Sequence, residues 1–331
     1  MNSSSLMIED ALAPVFNRIL DCTAVFSVPV YSFSFYVIFK HTPPNITNFT
    51  RLLLNILLWN ALGNLICAFG HPYPMFPVIC FRIDGLLASF ESELLGHVLF
   101  GSVLLVVTNV GFGIFLSFHF RFMVIARRRR ISKTSPKWGY SYCTAVHVFS
   151  SAVYMVLYYY WTIPVADYPH QEQLPSRSGL ICFHPDGIRM TLIVAVYIAF
   201  ILFIVVSISA FLLLSFHSLH KNTHSVSHRT VQTQKLLLVN LIILTAIPIL
   251  AAGIPFFVVA ICIYLSWWRY SQLVSSICIG VLVNHGPIMC ITTLTMFRSY
   301  RCAVKNIVLG VIGKHPGVCA VHVLPSSVIG S

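Results

Sequence analysis

The sequence predicts an all-α membrane protein, a bundle of seven transmembrane helices with the N-terminus outside and the C-terminus in the cytosol. Three observations predict this fold: an apolar composition, seven long apolar runs, and an uneven distribution of charge among the loops. Of the 331 residues, 57% are hydrophobic and 9% are charged, whereas roughly a quarter of the residues of a soluble domain are charged. So few charges cannot cover a soluble surface of this size, which excludes a soluble enzyme.

Each apolar run has about 18 residues or more and can therefore cross roughly 30 Å of hydrocarbon as a helix. The seven runs cover residues 22–39, 52–69, 94–118, 140–163, 190–216, 236–265 and 272–297. These boundaries predict an extracellular segment 1–21, a bundle 22–297 and a cytosolic tail 298–331. An odd number of spans without a visible internal repeat disfavours a transporter built from two inverted halves.

The charges predict the orientation of the bundle. With the N-terminus outside, segments 40–51, 121–137, 217–235 and the tail from 298 are cytosolic, and they hold 16 of the 21 Lys and Arg residues. All nine carboxylates fall on the other side or at the outer ends of spans. Because positive charge marks cytosolic loops, this distribution predicts an outside N-terminus. The sequon at Asn2 is then a glycosylation site, and those at Asn45 and Asn48 are chance matches.

The tail predicts an amphipathic helix at about 298–312, lying in the inner membrane interface. Its apolar residues recur at helical spacing, at Val304, Ile307, Val308, Val311 and Ile312. Cys302 lies at a depth suited to reversible palmitoylation.

The ten cysteines include no CxxC pair, so we predict no metal site and no cofactor. Most lie in spans or in the cytosolic tail, where disulfides rarely persist. Only Cys80 and Cys182 lie in outer loops, and a bridge between them would hold the second outer loop over the mouth of the bundle. The alternatives are two free thiols, or Cys22 as a competing partner.

The sequence contains no enzyme motif of the GxGxxG, Walker A, HExxH or GxSxG type, and no basic face suited to nucleic acid. The most basic stretch contains Arg121, Arg127, Arg128, Arg129 and Arg130. One interpretation is orientation of the chain and attraction to anionic lipid. The other adds docking of a heterotrimeric G protein to this inner surface.

Polar groups at membrane depth are candidate functional residues. Glu93 and His97 share a helical face near the outer end of span three, and with Glu91, Tyr264 and Trp267 they could line an outer ligand pocket. The aromatic residues fit an interfacial belt equally well. Deeper polar residues, which interhelical hydrogen bonds can explain, are Asn55, Asn64, Asn109, Asn284 and His285.

Several short motifs resemble those of the nematode serpentine chemoreceptors of the Str superfamily, nearest the d, h and i classes. They include the passage Lys40-His-Thr-Pro43 followed by Leu52-Leu-Leu-Asn55, the aromatic-flanked Arg121, the span-seven segment Asn284-His-Gly-Pro287, and Ser299-Tyr-Arg301. The resemblance covers roughly residues 20 to 305. The chain departs from rhodopsin-like receptors, because no acidic residue precedes Arg121 and span seven lacks the Asn-Pro-x-x-Tyr pattern.

This resemblance implies a chemosensory G-protein-coupled receptor in the plasma membrane, in a sensory cilium, and not an enzyme. Its expected partners are a small-molecule ligand, a heterotrimeric G protein and the bilayer, with no nucleic acid. The alternatives are a seven-helix ligand-gated channel of inverted topology and a small-solute transporter. Loop charge disfavours the channel.

Overall fold

The structure, a computed structural model, describes residues 3–127, 135–169, 171–174, 179–221 and 228–313. The helices of these residues are α1 Ser3–His41, α2 Thr47–Gly70, α3 Glu93–Ala126, α4 Pro136–Trp161, α5 Gly187–Lys221, α6 His228–Pro248, α7 Ile254–Tyr264, α8 Ser271–Met296 and α9 Arg298–Val311. A π-helical segment, Ile249–Gly253, joins α6 to α7. Short 3-10 helices lie at Pro44–Ile46, Leu86–Phe90, Val165–Asp167 and Gln171–Gln173.

The predicted seven-helix bundle is confirmed. Spans one to five are α1 to α5, span six comprises α6, the π-helical segment and α7, and span seven is α8. Among the described residues, six spans are long and apolar enough to cross a membrane. The remaining span, α4, has 26 residues, long enough to cross, but its many Tyr, Ser and Trp side chains make it less apolar.

Helix α1 begins much earlier than the first apolar run, at Ser3 instead of residue 22. Part of the segment expected to precede the bundle, residues 3–21, therefore continues span one. The reason is a second buried face: Ala13, Phe16 and Leu20 recur at helical spacing and are buried. They pack against a small β-sheet that a search for long apolar runs does not detect.

That sheet covers one end of the bundle, which we call the sheet end. Its strands are β1 Pro72–Pro74, β2 Cys80–Ile83, β3 Thr162–Ile163 and β4 Leu180–Phe183, all antiparallel in the order β1-β2-β4-β3. Side chains alternate between its two faces, as strand geometry requires. Phe81 and Phe183 face the bundle, whereas Cys80 and Cys182 face α1.

Span six changes helix type between two prolines. Pro248 ends α6, the π-helical segment follows, and Pro255 lies in the first turn of α7. Proline lacks an N–H group and cannot continue the i→i−4 ladder, so the hydrogen-bond pattern shifts there. π-Helical turns are frequent at functional sites. The sequence predicts only a kink at these prolines.

At the end opposite the sheet, α9 packs against α1 and α8. Tyr300 is fully buried, and its hydroxyl lies 2.9 Å from that of Thr42 and 3.1 Å from that of Thr50. Val308 and Val311 are exposed, so α9 keeps an apolar row on its outer surface. We call this the tail end of the bundle.

Candidate functional site

A cavity of about 340 Å³ lies in the middle of the bundle. It is bounded by spans two, three, five, six and seven, including the π-helical segment. Its wall is almost entirely apolar: the exceptions are Asn60, Asn64 and His285. Pockets of this size and character are typical of small-molecule sites, which run from roughly 300 to 1,000 Å³.

A smaller chamber of about 80 Å³ lies between this cavity and the sheet. The two spaces share the wall residues Cys67, Val103, Val107, Phe256, Leu282 and Val283. Phe81 of the sheet and Trp161 at the end of α4 line the smaller chamber. The sheet therefore closes the end of the smaller chamber that faces away from the cavity. Phe81 and Trp161 are the side chains through which the sheet and the end of α4 contact this chamber.

Towards the lipid, the cavity wall is thin between spans five and six. Leu202 and Val205 of α5 and Ile254 and Phe257 of α7 line the cavity and are also exposed, Leu202 by 58% and Ile254 by 52%. Gly253 adds no side chain at this point. The cavity is therefore partly open towards the bilayer between spans five and six.

A disulfide joins Cys80 and Cys182, which are direct partners in the register of β2 and β4. It connects the loop after span two to the loop after span four, and both sulfurs are buried under α1. Helix α3 begins 13 residues after Cys80, at Glu93. Cys80 therefore belongs to the sheet and not to span three.

A polar cluster attaches α1 to the sheet. The Arg82 guanidinium donates to both oxygens of Asp84, with 2.6 Å between Nη2 and Oδ2, and lies over the ring of Tyr73. Asn17 of α1 donates to the same carboxylate at 3.1 Å. Tyr168 fixes the other loop, because its hydroxyl accepts from the main-chain N–H of Ile79 at 3.0 Å. Burial raises the pKa of this phenol above its ordinary value, so it remains a hydroxyl at neutral pH.

Glu93 and His97 are brought together at the start of α3, with 3.7 Å between Oε1 and Nε2. Glu93 Oε1 also accepts from the main-chain N–H of Val165 at 2.9 Å. The other ring nitrogen of His97 lies 3.1 Å from the hydroxyl of Tyr158. These contacts join α3, α4 and the loop after α4, and neither residue lines the cavity described above.

The other residues of the expected outer pocket are not brought together with this pair. Tyr264 and Trp267 are exposed by 52% and 76%, at the turn between spans six and seven. Glu91 is exposed where the 3-10 helix before α3 ends, with a left-handed φ of 45°. The cavity therefore lies deeper in the bundle than these residues, and a ligand site among them stays a prediction.

At the tail end, Arg121 is 5% exposed near the end of α3. Its Nη2 donates to the main-chain carbonyl oxygen of Gln234 in α6 at 3.1 Å. Arg127 follows the last turn of α3 and is exposed. Arg121 thus lies between spans three and six at the tail end.

The chain matches the family model described as serpentine type 7TM GPCR chemoreceptor Srh over residues 12–310. The match covers most of the chain and includes all seven spans. The chain belongs to the Srh family. No curated protein matches the sequence. The resemblance leaves the d, h and i classes open, and the matched family is the h class. The match does not support the name Str that the resemblance suggests.

The Srh family is described as a family of serpentine seven-transmembrane GPCR chemoreceptors of nematodes, and this chain is therefore a chemosensory receptor by family. It is a receptor family and not an enzyme family. The matched range includes the cavity, the sheet and the first 13 residues of α9.

Several residues that the sequence predicts to be functional lie outside the described part of the chain. Asn2 and the cluster members Arg128, Arg129 and Arg130 lie outside the described residues. Cys302 is buried at the start of α9, and its palmitoylation stays a prediction.

Sequence reasoning did not identify the cavity wall of this Srh protein. Asn64 and His285 are recognisable as polar residues at membrane depth, but nothing in the sequence brings them to one space. Gly111 and Gly253 carry a weak signal, since glycine in an apolar span often marks close packing or open space. The remaining wall residues are Val, Ile, Leu and Phe, which are common in every span.

Proposed function

We propose that this Srh protein is a plasma-membrane chemosensory receptor that binds an external small molecule in the central cavity and activates a heterotrimeric G protein. The observation that carries the proposal is an apolar cavity, about 340 Å³ in volume, inside the bundle of a chain of a chemoreceptor family. The cavity touches the π-helical segment of span six, and the smaller chamber beside it touches the sheet. A ligand that binds one arrangement of these elements better than another shifts the receptor between its states.

The orientation that we propose has the sheet end outside and the tail end in the cytosol. The charge distribution supports it, because the basic segments lie at the tail end. The disulfide between Cys80 and Cys182 also fits an oxidising exterior. Arg121 and Arg127, with Arg128, Arg129 and Arg130, would then face the G protein, and α9 would lie on the inner leaflet. By resemblance, the expressing membrane is that of a sensory cilium.

A cavity-filling variant tests this proposal. Val107 lines both chambers, so Val107→Trp should fill the space and abolish the response to any ligand found in a screen of volatile and soluble chemicals. Val206 is 64% exposed on α5 and does not line the cavity. Val206→Trp is therefore the matched control, and it should respond like the wild type at equal surface expression.

Two outcomes contradict the proposal. If Val107→Trp reaches the surface and responds normally, the ligand binds elsewhere, and the outer group of Glu91, Glu93, His97, Tyr264 and Trp267 becomes the alternative site. If a C-terminal epitope is accessible on intact cells, or if glycan is lost in Asn45→Gln and not in Asn2→Gln, the topology is inverted. Channel recordings would then replace the G-protein assay.

A further inference from the structure

Two polar side chains of the cavity wall each keep one buried atom without a hydrogen-bond partner in the described structure. They are Nδ2 of Asn64 in α2 and Nε2 of His285 in α8, and each residue is 7% exposed. A buried polar atom without a partner costs free energy, and most such atoms in native proteins have a partner or a functional reason. Asn64 and His285 line the same space from two spans that pack against each other.

Several other deep polar residues are hydrogen-bonded between spans. Asn55 Nδ2 lies 3.0 Å from one ring nitrogen of His147, and the other ring nitrogen lies 2.6 Å from Asn109 Oδ1. Asn284 Nδ2 donates to the hydroxyl of Thr23 at 3.1 Å. These residues join neighbouring spans and none of them lines the cavity. Buried polar atoms without a partner also occur elsewhere in the described bundle, but among them Asn64 and His285 are the two whose residues line the cavity.

The hydrogen-bonding roles of the two atoms are complementary. Nδ1 of His285 contacts the main-chain carbonyl oxygen of Leu282, so Nδ1 carries the ring hydrogen and donates it. In the neutral ring Nε2 is then an acceptor. Nδ2 of Asn64 is an amide nitrogen and can only donate. A group that both accepts and donates, such as a hydroxyl, matches the pair.

The rest of the cavity restricts the ligand further. Apart from the two asparagines and the histidine, its wall is aliphatic and aromatic, and an unpaired charge or a second polar group would be desolvated there without compensation. A volume of about 340 Å³ is at the small end of the range for small-molecule sites. A small apolar molecule also partitions into the lipid, towards which the cavity is partly open between spans five and six.

We infer that the cavity selects a small, mostly apolar alcohol, whose hydroxyl oxygen accepts from Asn64 Nδ2 and whose hydroxyl hydrogen is donated to His285 Nε2. This inference rests on the proposed function, because it assigns the ligand class of the same cavity. It makes Asn64 and His285 the residues that determine specificity, and it leaves the apolar wall to contribute most of the affinity.

Binding of matched probes to the purified full-length receptor tests the inference without a G protein. The probes are the 1-alkanols from pentanol to nonanol, the 2-ketones of equal length and the alkanes of equal length. Ligand that binds the folded receptor raises its melting temperature in a concentration-dependent way, which gives relative affinities. We expect the best alkanol to bind about tenfold more tightly than its alkane, with the ketone between them, since a hydrogen bond of this kind changes affinity by about that factor.

Variants assign this preference to the two residues. Asn64→Leu should reduce the alkanol-to-alkane ratio to about twofold or less without weakening alkane binding. His285→Asn keeps a donor near the Leu282 carbonyl but is too short to place an acceptor at the position of Nε2, so alkanol affinity should fall to that of the ketone. The control is Asn284→Leu, beside His285 on α8 but outside the cavity wall. It removes the hydrogen bond to Thr23 without changing the cavity, so the ratio should stay unchanged.

Each result supports or overturns the inference. Equal affinities for alkanol, ketone and alkane, or no binding by any probe, overturn the alcohol assignment. The assignment is also overturned if the alkanol-to-alkane affinity ratio of the wild type is retained in both Asn64→Leu and His285→Asn. Binding that persists in Val107→Trp lies outside the cavity and contradicts the proposed function as well. A receptor that responds to other chemicals, and loses that response in Val107→Trp, keeps the proposed function while the alcohol inference fails.

Discussion

The guanidinium of Arg121 donates to the main-chain carbonyl oxygen of Gln234 across 3.1 Å, which joins span three to span six at the tail end. Arg121 is 5% exposed, and its Nε has no hydrogen-bond partner among the described residues. A buried cation with one main-chain acceptor is poorly compensated, because desolvation costs more than a single hydrogen bond returns. This contact therefore joins spans three and six at the tail end without holding them firmly, and under the proposed function it would break when the receptor is activated.

We predict that Arg121→Met abolishes ligand-evoked G-protein activation and preserves the fold. Methionine fills a similar volume without the desolvated charge, so the melting temperature and ligand affinity should change little. The evoked signal should fall about tenfold or more, because the cation released on opening is the group that a G protein would meet. Signalling, binding and thermal unfolding would be measured on one preparation.

Arg18→Met is the control for this variant, since Arg18 is exposed on α1 near the sheet and should not affect signalling. A different result would contradict the coupling role. If Arg121→Met raised basal signalling and kept the full evoked response, Arg121 would serve only to close the bundle.

The seven spans were predictable from the sequence because each apolar run is itself the driving force for membrane insertion. A residue such as Leu104 needs no knowledge of its neighbours to be placed in a helix. The pairing of Cys80 with Cys182 could be expected for a similar reason, because the topology leaves few cysteines outside the spans. Both predictions use only the local composition of the chain and the side of the membrane on which each loop is expected to lie.

The sheet and the cavity could not be predicted, because neither has a local signal. Strands of two to four residues, with Pro72 and Pro74 in the first, are too short for alternation to be recognised. The cavity depends on which faces of five helices meet. The hydrogen-bond partner of Arg121 is a main-chain oxygen, which no residue pattern predicts. The position of Glu93 was predictable, but its attachment to Val165 was not.

Glu93 provides the second prediction, because its contacts connect α3 to a loop and not to the cavity. Glu93→Leu removes the acceptor of the Val165 N–H, and we expect a loss of about 1 kcal/mol in stability. The dose–response curve for a ligand found by screening should move less than about twofold. Thermal unfolding and dose–response measurements on the same membranes check both expectations.

The matched variant Glu93→Gln keeps a side-chain oxygen that can accept from Val165, so it should retain wild-type stability. If Glu93→Gln folds normally and shifts the response curve more than tenfold, the carboxylate contacts the ligand. The outer-pocket hypothesis would then be supported over the central cavity.

Gly85 provides the third prediction, because the loop before α3 approaches α2 too closely for a side chain. A Cβ atom at Gly85 would lie 2.2 Å from the carbonyl oxygen of Phe69, and a main-chain atom cannot rotate away. Gly85→Ala should therefore displace the loop that leads to the sheet and cost about 3 kcal/mol. Surface expression and melting temperature would both fall.

The control for this variant is Gly280→Ala, in the middle of α8. No atom of the described structure lies within 4 Å of a Cβ there, and alanine favours a helix by up to about 1 kcal/mol. Gly280→Ala should therefore be neutral or stabilising. Equal stability of Gly85→Ala and Gly280→Ala would mean that the loop does not lie against α2 in the folded receptor.

The final prediction concerns Tyr31 and Gly286, whose helices α1 and α8 pack closely at this point. A Cβ atom at Gly286 would lie 1.9 Å from the Tyr31 hydroxyl oxygen, and that hydroxyl is buried without a hydrogen-bond partner in the described part of the chain. Gly286→Ala should therefore destabilise the receptor by about 2 kcal/mol.

Tyr31→Phe removes an unsatisfied group, so its own effect should be neutral or slightly stabilising. The double variant should recover at least half of the loss, because the clashing atom is gone. The melting temperatures of the wild type, the two single variants and the double variant measure the coupling between Tyr31 and Gly286 directly. Additive effects would show that the two helices are farther apart than the structure has them.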